Sequence, residues 1–316
     1  MVIVNTIDIN PLLLNSSCAW SSDLHQLTEL YDAPYTGAVT TRTATLAGFP
    51  EDDAIHTVAF AADALTTINS YGYSPHPLEQ YLIWVEAILA AHAQSTKPII
   101  ISITASDPTT LHGMLAAIQD LRARLGDATS APSRIAVELN TSCPNIPGAP
   151  PSGYTFSSLQ PLLRVLAAAH AGDPTLTLGL KLPPYTFRAQ FADALAGLRA
   201  LDAPCPIAFL TCTNTLGNAL LFADEAGAFA VPTAVGGVAG DSLHALALGN
   251  VYTFRQLLAT ADARDAGLGG IKIIGVGGVT SRAAAARMMQ AGADVVACAT
   301  LFGKEGVRAF EILGKE

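Results

Sequence analysis

The chain has 316 residues, 50% of them hydrophobic and only 14% charged, with a formal net charge of −9. That is enough apolar material for one large core, and α/β barrels of this length are commonly one domain, so residues 1–316 are expected to form a single domain. The 17 Lys and Arg are scattered without basic runs, which argues against a nucleic-acid or anionic-membrane surface and for a small-molecule ligand.

Strand-like runs rich in β-branched and apolar residues are predicted at Pro11–Asn15, Gly37–Arg42, Pro98–Thr104, Ile135–Asn140, Leu176–Leu182, Ile207–Thr213, Ile271–Val276 and Val295–Thr300. Helical periodicity falls between them, near Ser22–Tyr31, Pro77–His92, Pro108–Leu125, Ser157–His170, Phe187–Leu201, Val251–Asp262, Ser281–Ala291 and Gly303–Leu313. Eight such units predict an α/β fold, the (β/α)8 TIM barrel, because parallel strands need covering crossovers and eight close a sheet. Two connections exceed the usual length, 46–76 and 214–250, and both leave the C-terminal ends of strands. Each is expected either to cover the active-site face or to make a dimer contact.

The segment from Met1 to Ser17 has no basic n-region or small-residue cleavage site, and no run of about eighteen apolar residues offers a membrane span. Five cysteines, Cys18, Cys143, Cys205, Cys212 and Cys298, are odd in number and lack CxxC spacing, so neither a disulfide framework nor a zinc site is expected. The histidines show no ligand spacing either. A reducing, cytoplasmic setting is the expectation.

Catalytic barrels collect their site from strand C-termini, and the polar residues of this chain gather there. Glu138-Leu139-Asn140-Thr141-Ser142-Cys143-Pro144-Asn145-Ile146-Pro147-Gly148 puts a thiol between two side-chain amides directly after the fourth strand. Such a thiol can serve as a general base, and amides on either side can hold a flat, amide-rich ligand. Standing alone, the same motif would read as a buried structural cysteine in a turn. Lys181 leaves an apolar strand towards the barrel mouth, where a buried ammonium needs an anionic partner. A reduced flavin would supply that charge; a Schiff-base lysine, as in barrel aldolases, explains the Asn, Cys and glycine pattern less well. Gly275-Val276-Gly277-Gly278 at the seventh strand and Ala299-Thr300 at the eighth form a candidate phosphate cradle between two loops that hold phosphate in many barrels.

Asn-Thr-Ser-Cys-Pro-Asn-Ile-Pro-Gly, Lys-Leu-Pro-Pro-Tyr, Thr-Asn-Thr-Leu-Gly-Asn and Ile-Ile-Gly-Val-Gly-Gly together, in order along nearly the whole chain, resemble the soluble class 1 dihydroorotate dehydrogenases. The resemblance implies an FMN-containing barrel that oxidises dihydroorotate to orotate in pyrimidine biosynthesis, with fumarate as electron acceptor, acting as a homodimer. It implies Cys143 as the catalytic base. It implies Arg42, Asn69, Ser70, Tyr71, Gly72, Tyr73, Asn140, Asn145, Asn214 and Thr215 as substrate-binding residues. Ser17, Arg42, Thr43, Asn140, Lys181, Thr213, Gly240, Gly277, Gly278, Ala299 and Thr300 would contact FMN. The chain departs from the family pattern at Arg42, where the family has lysine, at Ala299, where it has glycine, and in Asn69-Ser70-Tyr71-Gly72-Tyr73-Ser74-Pro75, which lacks a Pro-Asn pair. Two other readings stay open: an FMN oxidoreductase acting on another cyclic amide or enone, and a barrel that binds FMN without turnover.

Overall fold

Parallel strands covered on both faces read as continuous apolar runs, and such runs here become barrel staves. The computed structural model describes residues 1–315 other than 63, 130–131, 147, 149–150 and 202–204, so Pro147 of the cysteine loop lies outside the described residues. A hairpin of β1 (Val2–Val4) and β2 (Ile7–Ile9) precedes β3 (Leu13–Asn15), α1 (Leu24–Asp32) and β4 (Val39–Thr40). Next come β5 (Val58–Phe60), β6 (Thr66–Asn69), α2 (Leu78–Ala91), β7 (Ile99–Ile103), α3 (Pro108–Arg124), β8 (Ile135–Asn140) and α4 (Gln160–Gly172). They are followed by β9 (Thr177–Leu182), α5 (Arg188–Arg199), β10 (Ile207–Cys212), β11 (Leu216–Leu220), β12 (Val235–Gly240), α6 (Asp241–Leu258) and α7 (Ala261–Asp265). The chain ends in β13 (Lys272–Val276), α8 (Arg282–Gln290), β14 (Val295–Cys298), α9 (Thr300–Glu305) and α10 (Arg308–Gly314).

Eight parallel strands run in the order β3-β14-β13-β10-β9-β8-β7-β4, and the ring closes between β3 and β4 through the Leu14–Ala38 bridge and a Gly37 N–H donated to Leu13 O at 2.7 Å. This is the (β/α)8 barrel that the strand and helix alternation predicts. Its lower interior is lined by apolar side chains. Val4, Ile7 and Ile9 of the N-terminal hairpin pack with Leu14, Ile100, Phe209, Ile274 and Val295 there, so the hairpin plugs the N-terminal end. A larger apolar shell lies between strands and helices. Where the helices begin is set locally: Asp23, Asp107 and Ser281 each accept an N–H from the first turn of α1, α3 and α8, and Pro108 opens α3.

The two long connections meet. β11 and β12 from one and β5 and β6 from the other form a single antiparallel sheet, ordered β11-β12-β6-β5, which stands over the barrel mouth and lends residues to it. The second connection is shorter than expected, because α6 begins at Asp241 rather than Val251. Leu243, Ala247, Asn250, Val251, Phe254 and Leu258 lie buried along one helical face, and the Gly249-Asn250 pair that looks like a break is spanned. Asn250 is tolerated in its buried place because it accepts from Tyr185 N and donates to Tyr185 O. The predicted helix Gly303–Leu313 is instead α9 and α10, split at Gly306, whose φ is +58°. The second predicted strand pairs regularly only at Val39–Thr40, since Arg42 N–H turns away to Ser21 O.

Among the described residues no helix is long and apolar enough to cross a membrane.

Interior packing leaves no slack at Gly179: a Cβ built there would lie 2.2 Å from the Phe209 ring. Gly179→Ala is expected to destabilise the protein by about 1–3 kcal/mol through overpacking. Urea unfolding checks this: the midpoint should fall at unchanged slope, and an unchanged midpoint would refute the packing argument.

Candidate active site

Along a barrel strand alternate residues face inward, so β8 presents Ala136, Glu138 and Asn140 in rising order. Glu138 is buried and accepts hydrogen bonds from Ser102 Oγ (3.1 Å) and Thr211 Oγ1 (2.7 Å). Above it, Thr43 Oγ1 lies 3.0 Å from both Ser102 Oγ and Ser17 Oγ and accepts from Asn140 Nδ2 at 2.9 Å. Every member of this stack has a partner, which fixes the rotamers of the residues that face the mouth.

The mouth is a concave cleft of the kind in which small-molecule ligands bind, walled by barrel-strand ends and by the antiparallel sheet. It brings together Cys143, Asn140, Asn145, Arg42, Asn69, Tyr71, Gly72, Tyr73, Asn214 and Thr215 with Ser17, Thr43, Lys181, Thr213, Gly240, Gly277, Gly278, Ala299 and Thr300. Of the residues singled out from the sequence, Ser70 alone is not brought to its wall. Its hydroxyl donates to Ile55 O at 2.6 Å and accepts from Thr57 N at 3.1 Å, tying the 45–57 segment to the end of β6.

The cysteine loop is held from both sides. Thr141 Oγ1 donates to Lys181 O (2.8 Å), and Ser142 donates through both N and Oγ to Asn140 Oδ1 (3.1 and 2.9 Å). Asn214 Nδ2 donates to Ser142 Oγ at 2.9 Å, and Asn145 Nδ2 faces Asn69 O, Asn69 Oδ1 and Tyr71 O at 2.9–3.1 Å. Much of the amide hydrogen-bonding capacity at the mouth thus serves to lock segments from β6, β8 and β10 together. Cys143 Sγ lies 3.9 Å from Tyr71 O. Burial pushes its thiol above the ordinary cysteine range, opposed by the Asn145 N–H and by the charges of Lys181 and Arg42. Burial also lifts the Tyr73 phenol, to about 12, with the neighbouring Cys143 adding to the rise.

Two features suit an anionic, phosphate-bearing group. Lys181 is buried, and its ammonium has only one protein acceptor among the described residues, Ser17 O at 3.3 Å, leaving donors for a ligand. In the same cleft, Gly240 (φ +77°) and Gly278 (φ +64°) bring two backbones close enough that a Cβ at Gly278 would lie 2.7 Å from Gly240 O. The N–H groups of Gly278 and Ala299 find no backbone acceptor among the described residues, as a phosphate cradle requires.

Arg42, expected to contact substrate and FMN, already has a carboxylate partner within the protein. Its guanidinium is paired with Glu51 through Nη1 (3.3 Å to Oε2) and Nη2, and it lies 5.2 Å from the centre of the Tyr71 ring. Sequence patterns did not single out Glu51, nor the lining residues Trp20 and Thr67. Trp20 had a usable signal, a rare indole just after a strand end, and Gly303 leaves room for it: a Cβ there would come within 2.1 Å of the ring. Thr67 sits on β6, inside a connection without readable periodicity.

A parallel barrel with a buried ammonium, a two-strand glycine cradle and a thiol at its mouth has the parts with which barrel enzymes hold phosphate-bearing ligands. The sequence comparisons narrow this. A family model described as dihydroorotate dehydrogenase matches residues 2–316. A Streptococcus equi subsp. equi (strain 4047) protein is 31% identical over 316 residues, covering 99% of this chain and 90% of that one. A Streptococcus pneumoniae serotype 4 protein is 30% identical over 307 residues, covering 96% and 87%. Both are provisionally named dihydroorotate dehydrogenase A (fumarate). The chain belongs to the dihydroorotate dehydrogenase family.

The raised Cys143 thiol has a direct consequence. Alkylation of Cys143 by iodoacetamide, followed by peptide mass spectrometry, is expected to accelerate with pH through a midpoint above that of a free cysteine. Lys181→Met should move the midpoint higher still, because a cation that favours the thiolate is removed. A Cys143 midpoint at or below the free-thiol value would overturn this account of the site.

Proposed function

We propose that the protein oxidises dihydroorotate to orotate in pyrimidine biosynthesis, with FMN as cofactor and fumarate as electron acceptor. The observation that carries this reading is the convergence of Cys143, four asparagines and Lys181 on one cleft that ends in a glycine cradle. Membership of the family and the names of the streptococcal relatives support it.

In this reading FMN supplies the hydride acceptor when bound. Lys181 would hold the charge that the flavin gains, and the backbone of Gly277, Gly278, Ala299 and Thr300 would hold its phosphate. Cys143 would take a proton from the dihydroorotate ring. A thiol kept protonated by burial is a poor base until its proton leaves, so the nearby charges of Lys181 and Arg42, which favour the thiolate, matter to its work. Asn140 and Asn214 would orient the pyrimidine. Asn145 would act chiefly by keeping the cysteine loop against the β6 end, since its amide nitrogen faces three acceptors there, one of them the Asn69 side-chain oxygen.

One observation favours a second reading, oxidation of an uncharged cyclic amide or enone: Glu51 neutralises the cation that a substrate carboxylate would seek. Anaerobic mixing separates the two. Purified protein should be yellow, release FMN on denaturation, and bleach with dihydroorotate. Bleaching by uncharged cyclic amides or enones but not by dihydroorotate would replace the first reading with the second.

Cys143→Ala should retain FMN yet lose flavin reduction by roughly two orders of magnitude or more, the usual scale of a general-base contribution. Cys143→Ser should keep slight activity that rises with pH, because a hydroxyl is a weaker acid than a thiol. Near-normal reduction by the alanine variant at neutral pH would remove Cys143 from this role.

A further inference from the structure

Two cations line the cleft, Lys181 and Arg42, and no Asp or Glu does so among the described residues. The two are not equivalent. Lys181 meets only a carbonyl oxygen, whereas Arg42 is already bound to a carboxylate. Glu51 is not a lining residue; it reaches the guanidinium from the 45–57 segment and takes both Nη groups, while Tyr71 lies against the guanidinium face. Both partners are largely shielded from water, with side chains 8% and 15% exposed, so solvent does little to screen the pair.

The segment carrying Glu51 is anchored in several places. Phe49 N–H donates to Ser74 O at 2.8 Å, Leu78 N–H to Thr45 O at 3.0 Å, and Ser70 binds Ile55 and Thr57. The Phe49 ring fills the space beside Gly72, where a Cβ would approach it to 2.3 Å, and meets Tyr73 and His56 edge-on. Glu51 is therefore a fixed neighbour of Arg42.

We propose that Glu51 sets how strongly the cleft holds a carboxylate-bearing ligand, by neutralising Arg42 from the side away from the ligand. The proposal rests on the reading of the cleft as a pyrimidine-carboxylate site. Arg42 keeps hydrogen-bond donors for a ligand, because a guanidinium has five and Glu51 does not consume them all. What the Arg42–Glu51 pair lacks is net charge. A ligand carboxylate seated on Arg42 also lies near the Glu51 carboxylate, and the two repel in a medium less polar than water. Glu51 is thereby a specificity determinant that weakens carboxylate ligands selectively and leaves uncharged ring contacts alone.

The test measures orotate and uracil, the latter lacking the carboxylate, by calorimetric titration of FMN-loaded wild type and Glu51→Gln. Glutamine preserves length and one acceptor for Arg42. Orotate is expected to bind the variant about tenfold more tightly than it binds wild type, with uracil affinity unchanged, the scale expected when one nearby like charge is removed. If Glu51 acts only as a structural clamp, both ligands weaken together, and the proposal is overturned. It is equally overturned if the orotate-to-uracil preference does not move. Wild type alone provides a second measurement: its preference for orotate over uracil should stay within about tenfold, since a neutralised pair contributes little charge attraction. A preference on the order of a thousandfold would refute the proposal even if the variant failed to fold. Binding of neither pyrimidine to either protein would instead defeat the substrate reading, and this inference with it.

Discussion

The carboxyl group of Glu138, buried at the centre of the barrel, divides the interior into an apolar half and a polar half. Below it, Phe209 and the plug residues Val4, Ile7 and Ile9 exclude water; above it, hydroxyls and amides lead to the mouth. A buried carboxyl without partners would be costly, so Ser102 and Thr211 must both turn towards it. Ser102 then fixes Thr43, and Thr43 fixes Asn140 and meets Ser17. The side chains at the mouth thus inherit their orientation from a network rooted well below the ligand-facing surface. A site whose groups are held this way needs little rearrangement to meet a ligand.

Barrel strands alone supply only part of the cleft. Asn69, Tyr71 and Tyr73 come from the chain around β6, and Gly240 closes β12, so one wall exists only because two excursions far apart in sequence pair as strands. Asn69 Nδ2 donates across that pairing to Gly237 O, and Asn145 Nδ2 reaches from the cysteine loop to the end of β6. The cysteine loop is consequently braced by the antiparallel sheet as well as by its own strand. Both possibilities for the long connections, cover and intersubunit contact, are compatible with this sheet; what it settles is that they contribute directly to the wall of the site.

Much of this was legible in the sequence, for physical reasons. Doubly buried staves such as Ile99–Ile103 and Thr177–Leu182 are largely apolar, and the helices outside them carry caps such as Asp107-Pro108. Residues at stave ends are legible too, since a polar side chain such as Lys181 or Asn140, closing an apolar run, must find its partners at the barrel mouth. Three-residue strands escape notice because a pattern of period two needs more residues to declare itself, which is why neither the N-terminal hairpin nor β5 stands out in the chain. The start of α6 is obscured by Gly240, which stands at the helix cap in a conformation that only glycine adopts comfortably. Glu51 carries no signal at all: its importance comes from a contact across a loop, and neither periodicity nor motif spacing encodes such a contact.

That contact changes how the charge of the cleft should be understood. Counting residues gives two cations at the mouth of an acidic protein, a distribution that suggests an anion at each end of the ligand space. The structure divides them differently. Lys181 meets no carboxylate among the described residues, while Arg42 is one half of a neutral, shielded pair beside Tyr71. An arginine here is then not interchangeable with a lysine. A planar guanidinium can satisfy a bidentate carboxylate and still lie against an aromatic ring, which a compact ammonium cannot do equally well. Arg42, Glu51 and Tyr71 therefore make sense together as a unit, one that joins the end of the second stave, the 45–57 segment and the chain after β6.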